Sequence, residues 1–274
     1  MSAQPAPLPV QPLGTAALLA RRIADWLPAA VVFVASIGLW QGLVRGLHVQ
    51  RFLLPAPSTI WTAFLDNQSA LWHEGWFTLQ EALGGFAAGC TLGIVFAVVV
   101  SRYNLVGSAL MPYAIAANAI PIIAFAPIFN AWFDPLAPTA KMAVAAVLCF
   151  FPVLVNTLRG LQSVKPAQLE LMRSYACGEV ETFRRVRFPT ALPYIFTALK
   201  VASVLAMIGA VVGEYFGGSF NALGVLIRSR AQILDFESAW AAIFVACVFG
   251  IGFYLAVTLA ERLVVSWGPS TREA

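Results

Sequence analysis

Residues 170–193 read ELMRSYACGEVETFRRVRFPTALP and form a polar island in an otherwise apolar chain. Six of the seventeen Lys and Arg residues of the chain fall between Arg159 and Arg187. Long apolar runs lie on both sides, so this charged segment must sit in water between membrane spans. A cluster of Lys and Arg between spans favours the cytoplasmic side of the membrane.

The first half of this island has the pattern of a short helix. Pro166 suits the first helical turn, where its missing N–H costs nothing. Apolar residues then recur at three- and four-residue steps, as on one face of a helix, at Leu169, Met172 and Ala176. Gly178 can adopt the left-handed conformation that ends many helices. We therefore predict a helix from Pro166 that bends at Gly178.

The second half predicts another short helix, residues 179–188. Glu181 and Arg185 are four residues apart with the acid first, which is the favourable order for an ion pair on a helix. Pro189 and Pro193 are expected to stop this helix. Two short helices joined by a bend would make a compact cytoplasmic projection that can press into a partner protein. The alternative is a solvated loop whose charges serve only to set topology.

The composition predicts an all-α membrane protein. Of 274 residues, 60% are apolar and 11% are charged, whereas soluble domains are about 25% charged. The apolar runs are continuous, and each has the roughly 20 residues that a membrane helix needs. Small residues at Gly85 and Gly89 form a GxxxG pattern, which lets helices approach closely. The six predicted spans are residues 26–47, 78–100, 106–132, 140–158, 194–216 and 239–265.

The domain organisation follows from these spans. Residues 1–22 are expected to form a flexible cytoplasmic N-terminal tail, and residues 23–274 a six-helix transmembrane domain. The loop between spans four and five, residues 162–192, carries the polar island, and residues 217–237 form a loop on the other side. With this map, eleven Lys and Arg residues lie inside and five lie outside. This bias places both termini in the cytoplasm.

Polar and helix-breaking residues suggest a translocation pathway. The third span contains Asn118 and Pro121 among several prolines, and broken helices are tolerated at membrane depth only beside protein or a water-filled cavity. The alternative is a kinked packing helix. Glu214, near the outer end of span five, is a further candidate to line or gate the route, with a hydrated interfacial anchor as its alternative.

The motifs of common enzymes are absent from the sequence. It has no GxxxxGK[ST] phosphate loop, no HExxH and no GxSxG. We expect no catalytic residues, no metal site and no disulfide among its four dispersed cysteines. We also expect no pair of acidic residues at midplane depth that could relay protons. An ion-coupled secondary transporter is the alternative function, since such proteins also use broken helices.

The polar island resembles the "EAA" loop of ABC importer permeases, which reads E-A-A, three residues, G, nine residues, I-x-L-P. Glu170 takes the glutamate position, and Leu171 and Met172 replace the two alanines. Ala176 takes the glycine position, and residues 186–189 read VRFP at the I-x-L-P position. The spacing matches throughout. Because the family's bend is made by the replaced glycine, we expect Gly178 to supply it here.

This resemblance implies the type I ABC importer permease fold, with residues 162–192 as a coupling loop. The implied partners are a second permease copy in a homodimer, two cytoplasmic ATPase subunits and an extracytoplasmic binding protein, with no nucleic acid. ATP and Mg would be bound by the ATPase, and no cofactor by this chain, which would lie in a bacterial inner membrane. The implied ATPase contacts are Glu170, Leu171, Met172, Arg173, Ser174, Tyr175, Ala176, Cys177 and Gly178.

Further stretches resemble one branch of these permeases. Residues 54–61 read LPAPSTIW, residues 118–133 read NAIPIIAFAPIFNAWF and residues 211–218 read VVGEYFGG. They are similar to permeases for sulfonates, taurine, nitrate and thiamine precursors. The last two stretches favour a thiamine pyrimidine precursor or a related nitrogen heterocycle as the solute. An alkanesulfonate, taurine or nitrate remains the alternative.

Overall fold

The structure is a computed structural model that describes residues 15–103, 109, 112–113, 115–116, 122–217 and 221–265. Within these ranges the chain is helical and contains no strand, which confirms the predicted all-α class. A 3-10 turn, Ile122–Phe125, precedes α4, and a π-helical turn, Phe183–Arg187, precedes α8. The α-helices are α1 (Thr15–Gly46), α2 (Pro57–Asp66), α3 (Gln68–Ser101), α4 (Ala126–Trp132), α5 (Pro138–Gln162), α6 (Pro166–Ser174), α7 (Glu179–Thr182), α8 (Phe188–Phe216), α9 (Leu223–Gln232) and α10 (Phe236–Val264).

The chain divides into two compact units, residues 1–60 and residues 61–274. The first unit contains α1, which begins at Thr15, inside the segment 1–22 that we expect to be a flexible tail. Within α1, Leu27–Gly46 is long and apolar enough to cross a membrane. Its apolar side chains are largely exposed in this unit, as suits a helix that faces lipid or another membrane helix.

The second unit is built around α5, which packs against both α3 and α8. The α3–α5 contact runs along glycines. A Cβ atom on Gly89 would overlap the carbonyl oxygen of Ala146, and one on Gly93 would lie 2.9 Å from the carbonyl oxygen of Phe150. On α8, a Cβ on Gly209 would lie 2.6 Å from the Cα of Ala145. The predicted close approach at the glycines of α3 is therefore confirmed, as packing within one chain.

Five described helical segments are long and apolar enough to cross a membrane: Leu27–Gly46, Gln68–Ser101, Pro138–Gln162, Glu179–Phe216 and Phe236–Val264. They correspond to five of the six predicted spans. The remaining prediction, residues 106–132, is described only in part, at residues 109, 112–113, 115–116 and 122–132. Its last portion contains the 3-10 turn and α4, which ends before the extended residue Phe133.

The second short helix of the loop does not stop at Pro189 and Pro193, so this prediction is wrong. Residues Glu179–Phe216 form one continuous helical segment. The π-helical turn lies directly before Pro189, and Phe188 N–H there donates to Phe183 O, five residues back. A wider turn of this kind removes the clash between a proline ring and the carbonyl four residues earlier. The two prolines are therefore accommodated in the helix that becomes the fifth predicted span.

The segment 217–237, predicted as a loop, contains α9. Its polar residues and glycines favoured the loop prediction, but the segment contains a ten-residue helix that packs against α8 and α10. The next helix, α10, is capped by Asp235, whose Oδ1 accepts the Ser238 N–H at 3.2 Å. The core between α3, α5, α8 and α10 contains many small and β-branched side chains, including Cys149, Val153 and Ala202.

Candidate functional site

The first candidate site is the coupling loop, residues 162–192, at the end of the unit where α3 and α5 end. Its first helix, α6, starts with Pro166 in the first turn, as predicted. The Lys165 N–H just before it donates to Gln168 Oε1 at 3.3 Å. The N-terminus of α6 is thus fixed by its own sequence.

The bend after α6 is made by Ala176 and not by Gly178. Ala176 has φ of 52°, in the left-handed region. Its N–H donates to Arg173 O at 2.9 Å, and the Cys177 N–H donates to Met172 O at 3.0 Å. These two bonds define a Schellman motif, which places the left-handed residue directly after the C-cap, here Tyr175.

Gly178 has an ordinary extended conformation, with φ of −70° and ψ of 169°, so the prediction of a left-handed Gly178 is wrong. Gly178 is instead the N-cap of α7, and its carbonyl accepts the Thr182 N–H at 3.0 Å. The hydrogen bonds at the end of α6 fix the position of the bend, and the nearest glycine does not. Ala176 therefore adopts the bend at the position where the EAA pattern has glycine.

The predicted contact residues 170–178 lie together on α6 and its bend. Most are exposed, while Met172 and Cys177 are half-buried. The large apolar side chains exposed on this segment are Leu171, Tyr175 and Val180, whose exposed fractions are 55%, 73% and 82%. Val180 lines the cavity toward α3, whereas Leu171 and Tyr175 are four residues apart on one face of α6 and its C-cap and do not line that cavity. We call Leu171 and Tyr175 the outward patch. The sequence pattern missed Val180, whose signal was a single apolar residue between two acids, Glu179 and Glu181.

A cavity of about 550 Å³ separates the coupling loop from the end of α3. Basic side chains from both elements line it, including Arg102, Arg173 and Arg187. Arg102 also forms an ion pair with Glu179 at the start of α7. Both partners are largely exposed, so the pair holds the loop weakly in place.

The second candidate site is a buried polar cluster at the opposite end of the helices, formed by Thr78, Glu81, Lys141 and Glu214. Glu81 is 3% exposed, and the other three side chains are fully buried. They come from α3, α5 and α8, so the cluster ties three membrane helices together. Charged side chains inside a membrane protein are costly, and they are a functional-site hypothesis by default.

Hydrogen bonds involve Thr78 Oγ1, Lys141 Nζ and Glu214 Oε2 of this cluster. Gly224 N–H, at the start of α9, donates to Glu214 Oε2 at 2.7 Å. A side chain at Gly224 would collide with Val211 O and Glu214, so this approach requires glycine. The Thr78 hydroxyl accepts the Leu223 N–H at 3.1 Å.

The remaining donors of the cluster go to backbone carbonyls. Thr78 donates its hydroxyl proton to Glu74 O at 3.1 Å. Lys141 Nζ donates to Pro135 O at 2.5 Å and to Ala137 O at 3.1 Å. The ammonium therefore holds the turn that precedes α5.

The structure describes only one of the three predicted pathway residues, Glu214. Asn118 and Pro121 lie outside the described residues. Glu214 is fully buried within this chain, so it is not the hydrated interfacial anchor that was its alternative. Its carboxyl group faces Glu81 and not solvent.

Sequence reasoning missed Glu81, Thr78 and Lys141. A signal was available for Glu81, which lies inside the predicted span 78–100 and is a charged residue in an apolar run. The carboxyl groups of Glu81 and Glu214 meet in the fold. Both residues lie near the ends of their predicted spans, 78–100 and 194–216, so this pair does not contradict the expectation that no acids pair at midplane depth. Their separation in the sequence gives no sign of this contact.

Comparison with known proteins identifies the family to which this chain belongs. The family described as "Binding-protein-dependent transport system inner membrane component" matches residues 89–266. The chain belongs to this family, which confirms the resemblance of the polar island. It is a membrane permease subunit and not a catalytic one.

Curated relatives cover nearly the whole chain. The riboflavin transport system permease protein RibX of Chloroflexus aurantiacus is 30% identical over 250 residues, which cover 90% of this chain and 92% of the relative. The formylaminopyrimidine transport permease protein ThiX of Halalkalibacterium halodurans is 32% identical over 242 residues, 88% of this chain and 96% of the relative. The putative aliphatic sulfonates transport permease protein SsuC of Bacillus subtilis is 27% identical over 250 residues, 90% of each chain.

A solved structure shows the same fold. The crystal structure of an amino acid ABC transporter with histidines matches with a TM-score of 0.58 at 18% identity, covering 74% of this chain and 98% of that chain. The type I permease fold predicted for this chain is thus confirmed. The protein is a multi-pass permease subunit of an ABC importer, and the alternative of an ion-coupled secondary transporter is not supported.

Proposed function

We propose that two copies of this chain form the translocation pathway of an ATP-driven importer for a small nitrogen heterocycle. Two cytoplasmic ATPase subunits bind the coupling loops, and an extracytoplasmic binding protein delivers the solute. ATP and Mg bind to the ATPase subunits, and this chain binds no cofactor. The chain lies in a bacterial inner membrane with both termini in the cytoplasm, which the distribution of Lys and Arg supports.

The observation that carries this proposal is the outward patch of the coupling loop. Leu171 and Tyr175 expose apolar surface on a segment that is otherwise charged and faces water. Apolar side chains grouped on an aqueous surface mark a protein-binding site. Glu170 and Arg173 flank the patch and offer polar contacts at its rim. Such a surface fits a groove on the ATPase subunit.

The test is co-purification of the ATPase subunit with Leu171→Ser and Tyr175→Ala permease, together with solute-stimulated ATP hydrolysis in liposomes. We expect both variants to insert normally and to lose most of the bound ATPase, because the patch lies outside the membrane core. Ile233→Ser is the matched control, since Ile233 is also an exposed apolar residue, 67% exposed, at the other end of the helices. Unchanged co-purification of the Leu171 and Tyr175 variants contradicts the proposal.

The relatives support the solute class. RibX is named for riboflavin and ThiX for formylaminopyrimidine, and both are nitrogen heterocycles. Other relatives are named for aliphatic sulfonates and nitrate, which form the alternative. Uptake of labelled pyrimidine precursors, riboflavin, taurine and nitrate by the complete importer in vesicles distinguishes these classes. Uptake of sulfonate or nitrate alone contradicts the heterocycle proposal.

Asn118, Pro121 and Glu214 are proposed to line or gate the solute route. Glu214 acts as a gate, because it is buried and holds the start of α9 through Gly224 N–H. We expect Asn118→Leu to alter uptake or solute preference, and Glu214→Gln to alter uptake. Transport of unchanged rate and preference in both variants contradicts this assignment.

A further inference from the structure

Two acidic side chains from different helices meet in the buried polar cluster without a donor between them. Glu81 of α3 is 3% exposed and Glu214 of α8 is fully buried. Their carboxyl groups lie within hydrogen-bonding reach of each other. Glu81 Oε2 and Glu214 Oε1 are both buried and have no hydrogen-bond partner among the described residues. Two neighbouring carboxyl groups, each with a buried oxygen that lacks a donor, need a hydrogen that neither ionised carboxylate supplies.

The donors near the two carboxyl groups make hydrogen bonds to other oxygen atoms. Gly224 N–H donates to the other oxygen of Glu214, Oε2. Thr78 donates its hydroxyl proton to Glu74 O. Lys141 Nζ donates to the carbonyls of Pro135 and Ala137. Thr78 also lies within reach of the Glu214 carboxyl group, and Lys141 has a third N–H. Among the described residues, however, neither Glu81 Oε2 nor Glu214 Oε1 accepts a hydrogen bond.

The charges of the cluster point to the same missing hydrogen. Two ionised carboxylates and one ammonium would leave the buried cluster with a net negative charge. Like charges in contact cannot both ionise in a site that excludes water. One proton held between the acids removes the excess charge and supplies the missing hydrogen bond. Lys141 of α5 then balances the remaining carboxylate.

We propose that Glu81 and Glu214 bind one proton between them, forming a carboxyl–carboxylate hydrogen bond that fastens α3 to α8. The ionisable groups around this site are Lys141 of α5, Asp134 in the turn before α5 and Glu74 about two helical turns back along α3. The start of α9 closes the site through Gly224. A movement that separates α3 from α8 at this end has to break the shared bond. The site is thus a proton-dependent contact between α3 and α8 at this end of the permease.

The test is infrared spectroscopy of the purified permease in lipid at neutral pH, before and after exchange into D₂O. A protonated carboxyl group gives an isotope-sensitive C=O band that is separate from the amide and carboxylate bands. We expect this band in the wild-type protein. Glu81→Gln and Glu214→Gln should each remove the band of the shared proton, because neither variant retains two facing carboxyl groups.

The control is Glu179→Gln, which removes an exposed glutamate of the coupling loop and should leave the band intact. Glu81→Gln should also keep the wild-type melting temperature, since its amide can donate to Glu214, whereas Glu81→Ala should lower it. A wild-type protein without the band overturns the proposal. A band that persists undiminished in both Gln variants overturns it as well. These readouts do not involve transport, so they test the site independently of the proposed function.

Discussion

Lys200 Nζ lies 2.8 Å from Glu261 Oε2 and joins α8 to α10 within the membrane-spanning region of the chain. The two side chains are 22% and 21% exposed, so both charged groups are largely buried within the chain. Removing one partner of a buried pair costs about 3–5 kcal/mol, and of an exposed pair about 0–1 kcal/mol. We expect the cost of removing one partner of this half-buried pair to lie between these two values.

We therefore expect Lys200→Met to lower the free energy of unfolding by about 1–3 kcal/mol, because Glu261 is left without its partner. The double variant Lys200→Met with Glu261→Met should recover most of this loss, since two apolar side chains suit a membrane interior. Thermal unfolding in detergent measures both effects. Strictly additive losses in the double variant contradict a direct pairing.

The bend of the coupling loop yields a second prediction. Ala176 occupies the left-handed region at φ of 52°, where a residue with a Cβ atom is disfavoured by about 1–2 kcal/mol. Ala176→Gly should stabilise the end of α6 by about 1 kcal/mol. Hydrogen exchange of the amides of Cys177 and residue 176 itself, which close the Schellman motif, should slow in the variant.

Gly178→Ser is the matched substitution at the neighbouring glycine. Gly178 is extended, and a Cβ atom there meets nothing within 4 Å. Serine also suits the N-cap of α7. We expect no loss of stability, whereas a left-handed Gly178 would make the same change costly. Slower exchange in Gly178→Ser but not in Ala176→Gly would contradict the assigned bend.

The glycine contact between α3 and α5 gives a third prediction. Gly89→Ala places a methyl group on the carbonyl of Ala146, so the helices have to separate. Overpacking of this kind typically costs about 1–3 kcal/mol. Gly38→Ala in α1 is the control, because nothing lies within 4 Å of its added methyl group. Thermal unfolding should show a loss for Gly89→Ala alone.

The rim of the outward patch gives a fourth prediction, graded by burial. Glu170 is exposed in the free permease. If the ATPase subunit covers it and supplies a partner, Glu170→Ala should weaken the complex by about 2–5 kcal/mol, and by about 0–1 kcal/mol if it stays exposed. The measurement is the affinity of the ATPase subunit for permease in detergent. Insertion and melting temperature should not change, because the side chain supports no contact inside the membrane.

Local signals in the sequence predicted the position of the membrane helices well. The spans at Pro138–Gln162 and Phe236–Val264 follow from length and hydropathy alone, and Pro166 correctly marks the start of α6. Boundaries failed where a neighbouring element overrides a local rule. Pro189 stops a regular helix, but the π-helical turn before it relieves the clash. The bend was misplaced at Gly178 because backbone hydrogen bonds, and not residue preference, put it at Ala176.

Contacts between distant helices could not be predicted from single positions. Glu81 and Glu214 meet only because glycines bring α3, α5 and α8 close together. Gly224 completes the site because its backbone needs the space that a side chain would occupy. The sequence around each of these residues gives no local sign of the site. The site forms only when the helices pack together.

The uninterrupted segment Glu179–Phe216 has a mechanical consequence. Its 38 residues measure about 57 Å at about 1.5 Å per residue, so one end lies in the coupling loop and the other carries Glu214. If the helix stays straight through its π-helical turn and prolines, it acts as a lever over that length, and a tilt of about 5° about one end moves the other by about 5 Å. Such a lever needs no relay of side chains along its length. A small rotation at the loop becomes a displacement at the far end that is large enough to separate the carboxyl groups of Glu81 and Glu214.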